Sequence, residues 1–501
     1  MPVTESARII SNQPPRTPDS SPESLRSQVR SAVIWRSGTQ ILGQVIAWGS
    51  TFLVIRILAP EDYGLFAMTQ VVLVLLNMLN GYGLASALIQ KADADARAVR
   101  QLFGMLLILN LGLGGLQFAL APLAAGYFRH GQVAELLRVQ ALLYIATPFI
   151  ALPYALLARA MDFRRQAAVN LISSVAGALA AIGGAMTGLG VWTLVLAPMV
   201  LFFTRAVGMM TAARAWMWPS FDFRGAGGMA RFGGVMAAGQ LFWFVQSQAD
   251  VFIAGRHFDA HTLGIYTTAL FLAQIFVAKF VPPLNEVAFS AYARMQGDAG
   301  GVAAAFCRSV GLILLVAMPF YLGLAVVARP LVAVMLGDKW IEVGPVVALL
   351  ALAMPFMTLQ ILFAPASDAR GQPGISARNG ATGAILLPVA FLVGIQWGLP
   401  GLAAAWIVAW PLFLAICAWR TLPVIGVGVR DLAEAVAVPV LASVAMALVV
   451  LVVDRALPAM PALPHLSVLI ATGGTVYAGW LLAFARPTVA AAIALVRNRG
   501  G

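Results

Sequence analysis

The chain has 501 residues, of which 61% are apolar and only 10% charged, where a soluble domain carries roughly 45–50% and about 25%. About 300 apolar residues, at roughly 20 for each helix that crosses a bilayer, provide a dozen or more spans and leave too little chain for a catalytic domain in solution. The net charge of +12 would point to nucleic acid in a soluble protein, but here the charges fall in short loops between apolar runs, so no nucleic-acid partner is expected.

Residues 1–32 are rich in Pro, Ser and charge and lack the apolar segment of a signal peptide, so they read as a disordered cytoplasmic tail. Fourteen apolar spans follow, at 33–58, 64–89, 101–125, 136–158, 168–188, 190–212, 232–255, 262–287, 303–327, 343–365, 376–396, 399–420, 433–453 and 465–486. Twelve is the alternative, because only Gly, Leu and Pro turns separate the two runs within 168–212 and within 376–420. The expected fold is all-α and polytopic. With the N-terminus inside, 24 of the 32 Lys and Arg fall on the inner side and 7 on the outer, with Lys279 left within a span. Cytoplasmic loops carry such an excess, so both termini are expected in the cytoplasm.

The chain repeats itself. The turn Arg56-Ile-Leu-Ala-Pro60-Glu-Asp-Tyr-Gly64 returns as Arg256-His-Phe-Asp-Ala-His-Thr-Leu-Gly264, 200 residues on. Ala121-Pro-Leu and Ala146-Thr-Pro148-Phe149 return as Arg329-Pro-Leu and Ala353-Met-Pro355-Phe356, and Gly188-Leu-Gly-Val-Trp192 as Gly398-Leu-Pro-Gly-Leu402. Offsets that hold near 200–210 in one order mark a duplication. It predicts a six-helix lobe at 33–215, a second at 229–420 and a trailing helix pair at 433–486. Six spans is an even number, so both lobes enter the membrane in the same direction, related by a pseudo-twofold along its normal.

Several chemistries are missing. No Gly-Lys-Ser/Thr forms a P-loop, Cys307 and Cys417 lie in apolar runs, and His130, His257, His261 and His465 have no zinc spacing. No metal, cofactor or enzymatic activity is expected.

A polar side chain in hydrocarbon is costly and usually faces a bundle interior or a wet cavity. In the first span Arg36, Gln40 and Gln44 recur every four residues, and Asn77 and Asn80 lie three apart in the second. Gln240, Trp243, Gln246, Ser247 and Asp250 share one face of the seventh, with Gln40 and Gln240 matched in the repeat. In the eighth, Lys279 and Glu286 flank Pro282-Pro283, which is expected to break the hydrogen-bond ladder. Arg36, Gln40, Gln44, Asn77, Gln240, Gln246, Asp250 and Lys279 are therefore candidates for a polar cavity lined by spans 1, 2, 7 and 8 between the lobes. Asp250 and Glu286 are candidates for binding a coupling ion. For each a plainer role is open: Arg36 snorkelling to the headgroups, Asp250 pairing with Arg56 or Arg256, Glu286 solvated near the inner surface, and the amides joining helices.

The motif Leu58-Ala-Pro60-Glu-Asp-Tyr-Gly64-Leu-Phe resembles a turn of bacterial polysaccharide flippases of the Wzx type, and Ala155-Leu-Leu-Ala-Arg159-Ala-Met-Asp-Phe163-Arg-Arg165 resembles their loop after the fourth helix. Ala249-Asp250, Leu263-Gly264-Ile-Tyr266 and Leu336-Gly337-Asp-Lys-Trp340 are similar as well. At 288–294 the chain departs from the pattern, which has a proline near 290. The resemblance implies the multidrug/oligosaccharidyl-lipid/polysaccharide exporter superfamily. It implies an inner-membrane transporter that carries a polyprenyl-diphosphate-linked oligosaccharide to the outer leaflet by alternating access, driven by a cation gradient. Its expected partners are the lipid-linked substrate, the bilayer, a polysaccharide polymerase and export machinery, and the protein itself is expected to be a monomer. The rivals are a cation-coupled drug exporter on the same fold and a membrane polymerase or ligase, which would need an outer-face site that the short outer loops do not provide.

Overall fold

A computed structural model describes residue 38 and residues 42–80, 96–223, 227–295 and 297–486, those of 227–240 and 299 by their backbone. Arg36 and Gln40 lie outside the described residues, and so does the side chain of Gln240. The described chain is helical, with no strand. In a bilayer the backbone must satisfy its own hydrogen bonds, and a helix does so within one segment.

The helices are α1 (Leu42–Ile57), α2 (Pro60–Asn77), α3 (Ala96–Phe128), α4 (Gln132–Arg159), α5 (Phe163–Met186), α6 (Val191–Ala213) and α7 (Gly227–His257). They continue with α8 (Ala260–Arg294), α9 (Ala299–Met335), α10 (Val343–Ala369), α11 (Pro373–Gly394), α12 (Gly398–Ile425), α13 (Val429–Ala456) and α14 (Ala462–Phe484). Among the described residues, ten stretches are long and apolar enough to cross a membrane, and one of them, Pro373–Ile425, contains both α11 and α12. The protein is a multi-pass membrane protein; fourteen spans remains an expectation.

The two closely spaced runs are in each case two helices. Gly188 and Gly190, at φ +77° and +54°, turn α5 into α6, and Gly398, at φ +69°, turns α11 into α12. Only glycine takes up such backbone angles without a steric penalty. Of the chain's 20 acidic residues, five close helix starts. Asp162, Asp259 and Asp298 accept from the backbone N–H of Arg165 at 3.1 Å, Thr262 at 2.9 Å and Gly301 at 2.9 Å. Asp62 and Asp431 accept from Ala59 N and Gly428 N at 3.0 and 2.9 Å. Each such bond satisfies a donor that the helix start leaves open.

Pro282 and Pro283 lie inside α8, where they can donate no backbone hydrogen bond, and the helix runs on through Ser290 to Arg294. A membrane helix tolerates proline where neighbouring groups make good the lost bonds. Without a proline near 290 nothing stops the helix there.

The chain divides into two compact units, residues 1–244 and 245–501. In the first, α4 packs on α2, α3 and α6, and α6 on α5. In the second, α10 packs on α8, α9 and α12, and α12 on α11. Each unit thus has the same internal pairing, with α4 in the first and α10 in the second each packed on three other helices. In the second unit α13 and α14 pack on each other and on α9.

Candidate functional site

In the first unit a cavity of about 380 Å3 opens among α1, α4, α5 and α6, toward the end where α4 turns into α5. Its polar lining comes from Gln44 on α1, Gln166, Asn170 and Ser174 on α5, and Arg205 on α6, with Tyr154 and Phe163 as aromatic wall. Residues 166, 170 and 174 recur every four, so one stripe of α5 faces it. Among the described residues, no carboxylate lines it.

Arg205 lies eight residues before the end of α6 at Ala213, about 12 Å along the helix. Its position in the sequence groups it with the inner-loop charges; the fold makes it part of the cavity wall. Its Nε–H donates to Ser173 Oγ at 3.2 Å, and the buried Ser173 hydroxyl donates to Asn170 O at 3.0 Å. Gln166 is anchored by donating to Tyr154 O at 2.9 Å. Gly177 and Gly208 let α5 and α6 come close beside it: a Cβ at either would stand 2.8 Å from a side chain of the other helix.

Of the residues expected to line a cavity, Gln44 does. Asn77 is exposed on α2, and Asn80 is buried, its carbonyl accepting from Asn110 Nδ2 at 2.9 Å. The sequence signal for Arg205 was present but faint: an arginine within an apolar run, lacking the four-residue polar stripe that draws attention to the first span.

The second unit holds a different arrangement. Asp250 on α7 is 1% exposed. Its carboxylate accepts from Tyr266 Oη on α8 at 2.7 Å, and Tyr266 Oη accepts from Trp406 Nε1 on α12 at 2.9 Å. All three side chains are buried, so an indole, a phenol and a carboxylate form a dry relay across three helices. A buried carboxylate needs hydrogen-bonded company, and here a phenol provides it. Gln246 Nε2 donates to Gly380 O on α11 at 3.0 Å, and Gly383 makes room for it, since a Cβ there would stand 2.5 Å from Gln246 Oε1. Lys279 and Glu286 are exposed on α8 and take no part in either arrangement.

The fold and its sites define a multi-pass membrane protein with a polar cavity in its first unit and a buried acid relay in its second. The family described as "Polysaccharide biosynthesis protein" matches residues 53–345, more than half of the chain, and the chain belongs to it. It is similar to the succinoglycan biosynthesis transport protein ExoT of Rhizobium meliloti (strain 1021), 28% identical over 68% of this chain and 69% of that one. It is also similar to the lipopolysaccharide biosynthesis protein WzxC of Escherichia coli (strain K12), 23% identical over 65% and 67%. Among solved structures, the lipid II flippase MurJ in an inward closed conformation superimposes with a TM-score of 0.76 at 12% identity, over 91% of this chain and 100% of that one. That likeness shows the fold.

Proposed function

We propose that the protein flips polyprenyl-diphosphate-linked oligosaccharide repeat units from the cytoplasmic to the periplasmic leaflet of the bacterial inner membrane, for surface polysaccharide biosynthesis. The observation that carries this is the cavity in the first unit, polar and cationic within an apolar bundle and, among the described residues, lined by no carboxylate. Such a lining suits an anionic, sugar-bearing headgroup and disfavours the cationic substrates of a drug exporter. Family membership and the likeness to a succinoglycan transport protein point the same way. The lobes at 33–215 and 229–420 rock in alternating access with the pair 433–486 attached, the termini stay cytoplasmic, and the polyprenyl tail remains in lipid. A cation gradient drives the cycle, with Asp250 as its binding residue and Glu286 as the second candidate. Lys279, Arg36 and the amides Gln40, Gln44, Asn77, Gln240 and Gln246 supply further contacts to phosphate and sugar.

Deletion tests the reading. Cells without the protein are expected to hold lipid-linked repeat units in the inner leaflet, shielded from an impermeant periplasmic probe, and to lose surface polymer. Units that still reach the outer face of the deletion strain would refute it.

A further inference from the structure

We infer that the cavity of the first unit is the diphosphate-recognition site, with Arg205 as the residue that reads the phosphate and Ser173 as the residue that positions it. The inference rests on the flippase reading and assigns the headgroup to residues within one unit.

Three observations lead there. First, among the described residues Arg205 is the one cationic side chain on the cavity wall, and no acidic side chain lines the cavity. Second, its guanidinium is held in advance. The Nε–H to Ser173 at 3.2 Å fixes the plane of the group, and Ser173 is itself fully buried and tied to Asn170 O. A planar fork set before the ligand arrives suits bidentate binding to phosphate oxygens, and ordering it then costs less. Third, the rest of the lining comprises neutral polar groups, Gln44, Gln166, Asn170 and Ser174, with Tyr154 and Phe163 beside them. Amides and hydroxyls hydrogen-bond sugar hydroxyls and aromatic faces pack on sugar rings, so these groups suit the first sugars beyond the diphosphate. At about 380 Å3 the cavity is within the range of small-ligand sites and has room for a diphosphate with little more than its first sugars. Longer repeat units would extend out of its open side, so the site reads the diphosphate and the first sugars and leaves the rest of the glycan unread.

Binding of polyprenyl diphosphate and of uncharged polyprenol to the purified full chain in lipid nanodiscs separates the possibilities. The wild type is expected to prefer the diphosphate. Arg205→Gln is expected to lose that preference by about ten- to a hundred-fold, the range for one contact of charge-assisted hydrogen bonds, while polyprenol binding stays constant. Arg205→Lys keeps the charge but not the fork and is expected to fall between the two. Ser173→Ala is expected to weaken the diphosphate preference without abolishing it. Gln44→Glu, which puts an anion into the cavity and leaves Arg205 untouched, is expected to lose the preference too, so the result does not depend on one variant's folding. Retained preference in Arg205→Gln and Gln44→Glu overturns the assignment even where the deletion strain traps its lipid-linked units. Failure of that strain to trap them overturns the flippase reading instead, and leaves the binding result standing.

Discussion

Tyr266 is placed where a single hydroxyl serves two neighbours. It donates to Asp250 at 2.7 Å and accepts from Trp406 Nε1 at 2.9 Å, with all three side chains buried. Tyr266→Phe keeps the ring and leaves a carboxylate and an indole N–H without their partner, a cost of about 1–3 kcal/mol for each buried group left unsatisfied. A lower unfolding midpoint in detergent is the expected result, and an unchanged midpoint would mean that the relay contributes nothing to stability. Asp250→Asn is the informative companion. It retains the shape and an acceptor for Tyr266, so stability is expected to change less, whereas dependence of transport on the cation gradient is expected to disappear.

At the scale of elements, the extended segment between α6 and α7 is bound to the start of α3. Ser220 N donates to Arg100 O at 2.9 Å, Arg100 Nε to Trp218 O at 3.0 Å and Gln101 Nε2 to Asp222 O at 2.6 Å. Arg97 and Asp222 form an ion pair at 2.8 Å, with both side chains at least half exposed, so it adds little. Close approach is possible because residue 104 is glycine: a Cβ there would meet Ser220 O at 2.1 Å. Gly104→Ala is expected to lift this segment from α3 and to speed tryptic cutting at the adjacent Arg214, which an unchanged cutting rate would contradict. The same kind of contact joins α11 and α12, where a Cβ on Gly401 would stand 2.3 Å from Gly394 O. Hydropathy makes such helices legible, because each must present apolar side chains over its length. Hydropathy is silent on which glycine meets which carbonyl, since that depends on partners far apart in the chain.

For the whole molecule, the uneven distribution of basic residues predicts the direction of insertion. Reporter fusions that are active only in the cytoplasm are expected to be active at both termini, and a periplasmic signal from either end would require an odd number of spans or the reverse orientation. The membrane class and the apolar helices were legible in the amino-acid sequence. They depend on local composition and period, which the bilayer imposes on every spanning segment. The meeting of polar groups was not legible. Arg205 reads as one more inner-surface charge until α5 and α6 close on it with Ser173, and Asp250 reads equally well as a partner of Arg56 or Arg256 until α8 and α12 bring it Tyr266 and Trp406. Hydropathy depends on what each residue is, so sequence alone determines it; a hydrogen-bonded site depends on which helix faces pack together, and only the tertiary structure decides that.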